Sequence, residues 1–245
     1  MADWKRHWRC AEAGSAARMT PAMSPDHAPA PTDESRRTAR TRIKVCGFTR
    51  VDDALAAAEA GVDAIGLVFY PPSPRHVTVE QAAAIVRAMP AFVTTVGLFV
   101  DASPQQVRDT RDRTGFVLAQ YHGDERPAQC AAAGIPFIKA LRVRPGMDLL
   151  NCSQAFSAAR GLLFDAFQAG VPGGTGHRFD WALIPDGLGL PLILSGGLGP
   201  ANVGEAVRTV RPYAVDVSSG VEREKGIKCA DLVRQFVKGV RNEDV

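Results

Sequence analysis

The chain has 245 residues, of which 46% are hydrophobic, and a formal net charge of +3, which fits a globular protein with one large core. The balanced charge and scattered aromatic residues argue against a nucleic-acid partner, and no apolar run approaches the ~20 residues that a membrane helix needs. The five cysteines lack CxxC spacing, so we expect neither zinc nor another structural metal, no disulfide framework, and a reducing, cytoplasmic location.

Residues 1–41 differ in composition from the rest of the chain. They are rich in Ala, Ser and Thr, show no sustained apolar period, and are interrupted by Pro21, Pro25, Pro29 and Pro31. This composition is typical of disorder, and it lacks the apolar core of a secretory signal. We therefore expect a disordered leader at 1–41 and a single folded domain at 42–245.

From Arg42 onward, short runs rich in Val, Ile, Leu and Phe alternate with Ala-rich amphipathic segments. The predicted strands are 42–46, 64–69, 93–100, 117–121, 137–142, 162–165, 191–195 and 214–217. The predicted helices are 50–60, 79–88, 104–113, 126–133, 148–160, 179–185, 200–210 and 228–240. Near-continuous apolar strands that alternate with helices indicate a parallel sheet covered on both faces. Eight such units predict an α/β fold, the closed (β/α)8 or TIM barrel.

An open, doubly wound sheet is the alternative fold. Such a sheet usually has fewer strands and places its phosphate-binding glycines after the first strand. Here Cys46, Gly47 and Phe48 follow the first strand without a GxGxxG pattern, and the glycine-rich loops follow the last three strands. The closed barrel is therefore favoured.

Residues at the predicted helix ends agree with these boundaries. Gly61 is placed to end the first helix, and Ser103 and Pro104 are placed to cap and begin the third. Pro200 is placed to begin the seventh helix.

Cys46 closes the first strand, at the end where barrel enzymes carry their catalytic residues. A cysteine in this position can act as a base once it is ionised, although a lone cysteine is more often a small buried apolar residue. Lys44 lies two residues earlier on the same side of the strand, and a cation is expected to lower the pKa of a thiol.

Three further polar side chains lie in the loops after the second and fourth strands and on the fifth strand. Arg75, in the loop after the second strand, suits a carboxylate because its guanidinium binds two oxygens at once, but it could also be a solvated loop residue. His122 follows the fourth strand and either contacts a substrate or braces a neighbouring loop. Lys139 on the fifth strand would suggest a Schiff-base enzyme, but it lies early in the strand, which argues against that chemistry.

Asp165 ends the apolar run of the sixth strand and leads into a glycine-rich loop at 170–176. A carboxyl group here can act as a general acid, and the alternative is a structural cap for the loop. The loop is long enough to close over a ligand, but it lacks the Gly-Lys-Ser/Thr ending of a P-loop, which excludes nucleotide hydrolysis.

Glycine-rich loops also follow the seventh and eighth strands. In barrels of this class, phosphate binds between these two loops, where glycine lets backbone N–H groups approach an anion. Ordinary glycine turns are the alternative, and Asp216 on the eighth strand either contacts a ligand or braces a loop. The predicted phosphate-binding residues are Gly196, Gly197, Ser218, Ser219 and Gly220.

Seven segments, in order along the chain, resemble the phosphoribosylanthranilate isomerase family. They are KVCG at 44–47, GLVF at 66–69 with SPR at 73–75, VGLFV at 96–100, QYHG at 120–123, PGGTG at 172–176 with FDW at 179–181, SGGL at 195–198, and DVSSGVE at 216–222. The resemblance implies a cofactor-free (β/α)8 barrel of tryptophan biosynthesis that acts on a small phosphorylated substrate. It implies that Cys46 is the general base, Asp165 the general acid and Arg75 the group that binds the anthranilate carboxylate.

The implied reaction is an Amadori rearrangement, in which Asp165 protonates the ribose ring oxygen and the Cys46 thiolate removes the C2 proton. Two features depart from the family pattern: the leader, and the sequence KGIKC at 225–229, near the start of the last helix. Either a monomer or a homodimer is compatible with the sequence.

Two other functions remain as alternatives. A barrel enzyme acting on indole-glycerol phosphate would need a Glu and Lys set that the strand ends do not offer. A non-catalytic phosphosugar-binding protein would keep the phosphate loops but would have no reason to place both Cys46 and Asp165.

Overall fold

The structure, a computed structural model, describes residues 40–166 and 180–243. Eight parallel strands pair in chain order and close into a barrel, which confirms the predicted fold. The strands are β1 (Arg42–Cys46), β2 (Ala64–Val68), β3 (Thr94–Phe99), β4 (Leu118–Tyr121), β5 (Phe137–Val143), β6 (Leu162–Ala166), β7 (Leu192–Leu194) and β8 (Ala214–Val217).

In the described residues, α-helices follow every strand except β6. They are α1 (Val51–Glu59), α2 (Val79–Ala88), α3 (Pro104–Thr114), α4 (Pro127–Ala131), α5 (Leu149–Ala155), α6 (Val203–Val210) and α7 (Ala230–Arg241). The capping prediction for α3 is confirmed, because the Ser103 hydroxyl accepts from the Gln106 N–H and Pro104 is the first helical residue. None of the helices in the described ranges is long and apolar enough to span a membrane.

Successive side chains of each strand point alternately outward and inward, which divides the core into an outer layer and an inner layer. On β1, Ile43 and Val45 are fully buried in a cluster that includes Phe236 of α7. Lys44 and Cys46 have the opposite parity and point into the barrel. This alternation places the polar residues at strand ends in one interior space.

The sequence misplaced the bounds of several helices. The predicted helix at 179–185 is a three-residue 3₁₀ helix, Trp181–Leu183, within the described residues. Helix α6 begins at Val203 instead of Pro200, because Asn202 folds the preceding turn by bonding to Gly199 N–H (2.8 Å) and Gly197 C=O (2.8 Å).

The chain after β8 forms a two-stranded antiparallel ribbon that the sequence did not predict. Its strands are β9 (Glu222–Glu224) and β10 (Ile227–Lys228), so α7 starts two residues later than predicted. Thr49 Oγ1 donates to the Gly226 carbonyl (2.6 Å), which ties the ribbon to the loop after β1. The ribbon thereby adds side chains to the rim of the barrel.

The last two residues of the predicted leader contact the barrel. Arg40 Nη1 donates to Asp63 Oδ2 (2.9 Å), and the buried Thr41 accepts from Arg241 through its carbonyl oxygen (3.1 Å). The predicted disorder of residues 1–39, and the predicted glycine-rich loop at 170–176, lie outside the described residues.

Candidate active site

A cavity of about 370 Å³ opens at the carboxyl ends of the barrel strands. The structure brings nine of the ten predicted site residues to its wall: Cys46, Arg75, His122, Asp165, Gly196, Gly197, Asp216, Ser218 and Ser219. Gly220 does not line the cavity. A Cβ at Gly220 would collide with the Leu198 carbonyl oxygen, so this glycine allows the loops after β7 and β8 to approach each other.

Cys46 ends β1 with its side chain inside the barrel, and the residue is only 6% exposed. Gly66 on the neighbouring β2 leaves space for the thiol, since a Cβ there would lie 2.7 Å from Cys46 Sγ. Burial raises the pKa of the Cys46 thiol, and this effect outweighs the lowering by Lys44 and Lys228. The expected lowering by Lys44 is therefore present, but burial outweighs it.

Lys44 and Asp216 form a buried ion pair beneath the thiol, with 2.8 Å between Lys44 Nζ and Asp216 Oδ1. Burial lowers the pKa of Lys44, but the charges of Asp216 and Cys46 raise it by a larger amount. The net pKa is therefore raised, and the amine stays protonated. Burial and the nearby Asp165 raise the pKa of Asp216, against the opposing effect of Lys44. Lys44 thereby places a positive charge close to the sulfur, and Asp216 partly offsets it.

Asp165 lies across the interior on β6 and is 5% exposed. Its Oδ2 atom is 3.4 Å from His122 Nε2, and His122 Nδ1 is 3.0 Å from the amide nitrogen of Gln120. When Gln120 donates to Nδ1, the imidazole proton lies on Nε2 and faces the carboxyl group. Gln120 thus orients His122 toward Asp165, a contact that the sequence did not predict.

Arg75 is held in place by an acidic partner from the β9 strand. Its Nε and Nη2 donate to the two carboxylate oxygens of Glu222, both at 2.7 Å. Burial opposes ionisation of Glu222, but Arg75 and Lys228 lower the pKa of this carboxyl group overall. Gly47, with φ of 87°, allows this arrangement, because a Cβ there would lie 2.5 Å from Arg75 Cδ. Arg75 is therefore ordered, and the alternative of a solvated loop residue was wrong.

Lys228, on β10, connects the loops around Cys46. Its Nζ donates to Glu222 Oε1 (2.8 Å), to the Cys46 carbonyl (2.6 Å) and to the Ser218 carbonyl (3.2 Å). The Ser218 hydroxyl donates to the same Cys46 carbonyl (2.9 Å). Lys228 fixes the position of the candidate base relative to the loop after β8.

The loop after β7 has the backbone conformation that glycine favours. Gly196 and Gly197 have φ of 88° and 66° and both line the cavity. Ser219 begins a short 3₁₀ helix, Ser219–Val221, in the loop after β8. The two loops present backbone groups and hydroxyls on one side of the cavity, opposite β3 and β4.

Comparison with known proteins identifies the family. The family model described as N-(5'-phosphoribosyl)anthranilate (PRA) isomerase matches residues 43–239. The chain belongs to this family. It is 59% identical over 204 residues to the N-(5'-phosphoribosyl)anthranilate isomerase of Azotobacter vinelandii, covering 83% of this chain and 99% of that protein. The protein of the same name from Thiobacillus denitrificans is 59% identical over 196 residues, with coverages of 80% and 96%.

Solved structures of the family show the same barrel. The phosphoribosylanthranilate isomerase of Thermotoga maritima is 38% identical, with a TM-score of 0.77 over 82% of this chain and 99% of that one. A further family structure, 37% identical with a TM-score of 0.74 and the same coverages, is a complex with reduced 1-(o-carboxyphenylamino)-1-deoxyribulose 5-phosphate. The predicted resemblance to phosphoribosylanthranilate isomerases is thereby confirmed.

Sequence reasoning missed four side chains in or beside the cavity wall: Gln120, Arg142, Glu222 and Lys228. The parity of β5 was an available signal for Arg142, because Ile138 and Ala140 point into the barrel and Arg142 shares their parity. No local signal marks Glu222 and Lys228, since Glu222 meets Arg75 across a sequence separation of 147 residues.

Proposed function

We propose that Cys46 and Asp165 carry out acid–base catalysis in this chain, which is an N-(5'-phosphoribosyl)anthranilate isomerase of tryptophan biosynthesis. The observation that supports these roles most directly is the placement of a thiol and a carboxyl group in the wall of one cavity. An aldose-to-ketose isomerisation needs one proton donor and one proton acceptor at neighbouring substrate atoms, and these two residues supply them.

In this proposal, the small phosphorylated substrate lies across the cavity. Its phosphate binds at Gly196, Gly197, Ser218 and Ser219, where the backbone conformation exposes N–H groups to an anion. The ribose lies between Cys46 and Asp165, and the anthranilate ring extends toward β2, with Arg75 near its carboxylate. Gly220 contributes by letting the two phosphate loops meet.

The reaction has two proton transfers that balance. Asp165 donates its proton to the ribose ring oxygen, the C1–O bond breaks, and the nitrogen lone pair forms the protonated Schiff base. Cys46, as thiolate, removes the C2 proton, and the electron pair of that C–H bond flows to the nitrogen to give an enolamine. Tautomerisation then yields 1-(2-carboxyphenylamino)-1-deoxyribulose 5-phosphate, so that no atom is gained or lost.

The surrounding charges favour these roles in specific ways. Lys44 opposes the burial that raises the thiol pKa, and it therefore stabilises the thiolate that the second step requires. His122 lies 3.4 Å from the Asp165 carboxyl, where its N–H group can hold the carboxylate that remains after proton donation.

Growth of a tryptophan auxotroph that lacks this isomerase tests the activity. We expect the wild-type gene, and a Cys130→Ala control, to restore growth without tryptophan, whereas Cys46→Ala and Asp165→Asn should fail although the proteins accumulate. Growth supported by the Asp165→Asn variant would indicate that a different group, with Asp216 the first candidate, is the acid.

Competition by inorganic phosphate tests the orientation of the substrate. Gly197→Glu adds a negative side chain to the loop after β7, and we expect it to abolish phosphate inhibition. Arg75→Ala should weaken binding of carboxyphenylamino analogues and leave phosphate inhibition unchanged. The reverse pattern would mean that the two ends of the substrate are exchanged.

We also propose a cytoplasmic location and a monomeric or homodimeric state. The described cysteines, Cys46, Cys130, Cys152 and Cys229, are all free thiols, which is compatible with a reducing compartment. Light scattering of the purified chain distinguishes the two assembly states.

A further inference from the structure

Arg142 is a cationic side chain of the cavity that the proposed chemistry has not used. It is the next-to-last residue of β5 and pairs in register with Asp165 of β6. Its side chain is half-buried and lines the cavity on the side opposite β1. Arg142 therefore lines the same cavity as the candidate acid, from the neighbouring strand.

Arg142 has fewer N–H groups with a hydrogen-bond partner than Arg75 has. Nη2 of Arg142 donates to the His122 carbonyl at 3.3 Å, and Nε is buried without a hydrogen-bond partner. Within 4.0 Å, no carboxylate in the described residues pairs with Arg142, whereas Glu222 occupies both Nε and Nη2 of Arg75. A buried guanidinium N–H without a partner is costly unless a ligand satisfies it.

We propose that Arg142 binds the carboxylate of the anthranilate ring and is a substrate-binding residue that selects for this group, an inference that rests on the proposed function. The planar fork of Nε and Nη2 matches the two oxygens of a carboxylate. Val68, Leu98 and Val100 supply an apolar wall of the same cavity, against which the aromatic ring can lie. Arg75, whose Nε and Nη2 already donate to Glu222, contacts the same carboxylate from the loop after β2.

The test compares two substrates in three proteins. The substrates are N-(5'-phosphoribosyl)anthranilate and its analogue N-(5'-phosphoribosyl)aniline, which lacks the carboxylate; the proteins are wild type, Arg142→Ala and Arg160→Ala. Arg160 is an exposed arginine before β6, outside the cavity, and controls for the loss of one positive charge. We expect Arg142→Ala to lower kcat/KM for the anthranilate substrate by ~10–100-fold, the usual value of hydrogen bonds to a charged group.

For the aniline substrate, kcat/KM should change less than about threefold in Arg142→Ala, because the group that Arg142 binds is already missing. Arg160→Ala should match wild type with both substrates. Arg142→Lys, which keeps the charge but loses the fork, should lie between wild type and Arg142→Ala. An equal loss with both substrates would overturn the proposal, since it would mean that Arg142 acts only through His122 or Asp165.

Equilibrium binding keeps this test separate from the proposed activity. Anthranilate and inorganic phosphate are titrated into each protein, and we expect Arg142→Ala to weaken anthranilate binding without altering phosphate binding. This result would support the proposal even for a protein without turnover. Unchanged anthranilate affinity in Arg142→Ala, together with loss of affinity in Arg75→Ala, would overturn it and assign the carboxylate to Arg75 alone.

Discussion

On one side of the cavity the buried cations face carboxylates, and on the other side polar groups retain atoms without partners. The paired side consists of Lys44, Asp216, Arg75, Glu222 and Lys228, joined by ion pairs of 2.7–2.8 Å. The open side consists of Gln120, His122 and Arg142, in each of which one buried nitrogen or oxygen has no hydrogen-bond partner.

The difference indicates that the side chains of the paired side have their partners before a ligand binds, whereas those of the open side gain partners from the ligand. Each buried polar atom without a partner lowers the free energy of unfolding by ~1–3 kcal/mol, so the open side destabilises the folded chain when no substrate is bound. A substrate that supplies the missing partners recovers that energy on binding. The paired side, by contrast, holds Cys46 and the loop after β8 in one geometry before any substrate arrives.

The largest expected effect comes from removing the thiol that the paired side positions. Cys46→Ala should lower kcat by ~10²–10⁴-fold and change KM by only a few-fold, because a general base acts in the transition state. Cys152→Ala, a buried cysteine of α5, is the matched control and should alter stability at most. Steady-state kinetics decide, and a near-normal kcat for Cys46→Ala would refute its assignment as the base.

A smaller effect, with a distinctive pH signature, follows from breaking the ion pair beneath the thiol. Lys44 lowers the pKa of Cys46 and Asp216 raises it, so Lys44→Met removes the favourable charge and leaves the unfavourable one. The thiolate then forms only at higher pH, and the limb of kcat/KM that rises with pH should move upward. At any pH below the thiol pKa, the thiolate fraction and therefore kcat/KM fall about tenfold for each pH unit by which that limb moves.

Two further variants separate this electrostatic effect from misfolding. Lys44→Arg keeps the charge, so its pH limb should stay near that of wild type. Lys44→Met/Asp216→Asn removes both charges, so its limb should lie between those of wild type and Lys44→Met. Identical limbs in all variants would show that the titrating group is not Cys46.

How much of this site the sequence could predict depends on the range of the interactions. Cys46 and Asp165 were found because each ends an apolar strand, and strand parity is a local property. The β9–β10 ribbon was missed, since strands of three and two residues carry too little pattern to be recognised. Glu222 and Lys228 act through partners that are distant in sequence, and only the folded chain brings them together.

A positional variant sharpens the comparison by moving the thiol without removing it. Gly66→Ala would place a methyl group 2.7 Å from Cys46 Sγ, so the sulfur must shift. Displacement of a reacting group by a fraction of an ångström should lower kcat by about tenfold.

The control is Gly97→Ala, on β3, in which the new methyl group would lie 2.9 Å from the Phe116 ring, outside the cavity wall. This control should lose ~1–3 kcal/mol of unfolding free energy and keep its kcat. Equal kcat losses in both would show that general strain, not the thiol position, sets the rate.

The smallest effect is expected where neither side of the cavity is touched. Residues 1–39 have a composition without an apolar face, so their deletion should leave kcat unchanged and Tm within about 1 °C. Deletion of 1–41 also removes Arg40, which pairs with Asp63, and the carbonyl of Thr41 that accepts from Arg241. Exposed ion pairs contribute ~0–1 kcal/mol, which corresponds to a Tm lower by at most about 2–4 °C in a domain of this size. The deletions of 1–39 and of 1–41 differ only by Arg40 and Thr41, so comparing their Tm values isolates the effect of these two residues. A large drop in Tm on removing 1–39 alone would mean that the leader packs on the barrel, and a change in kcat would mean that it reaches the cavity.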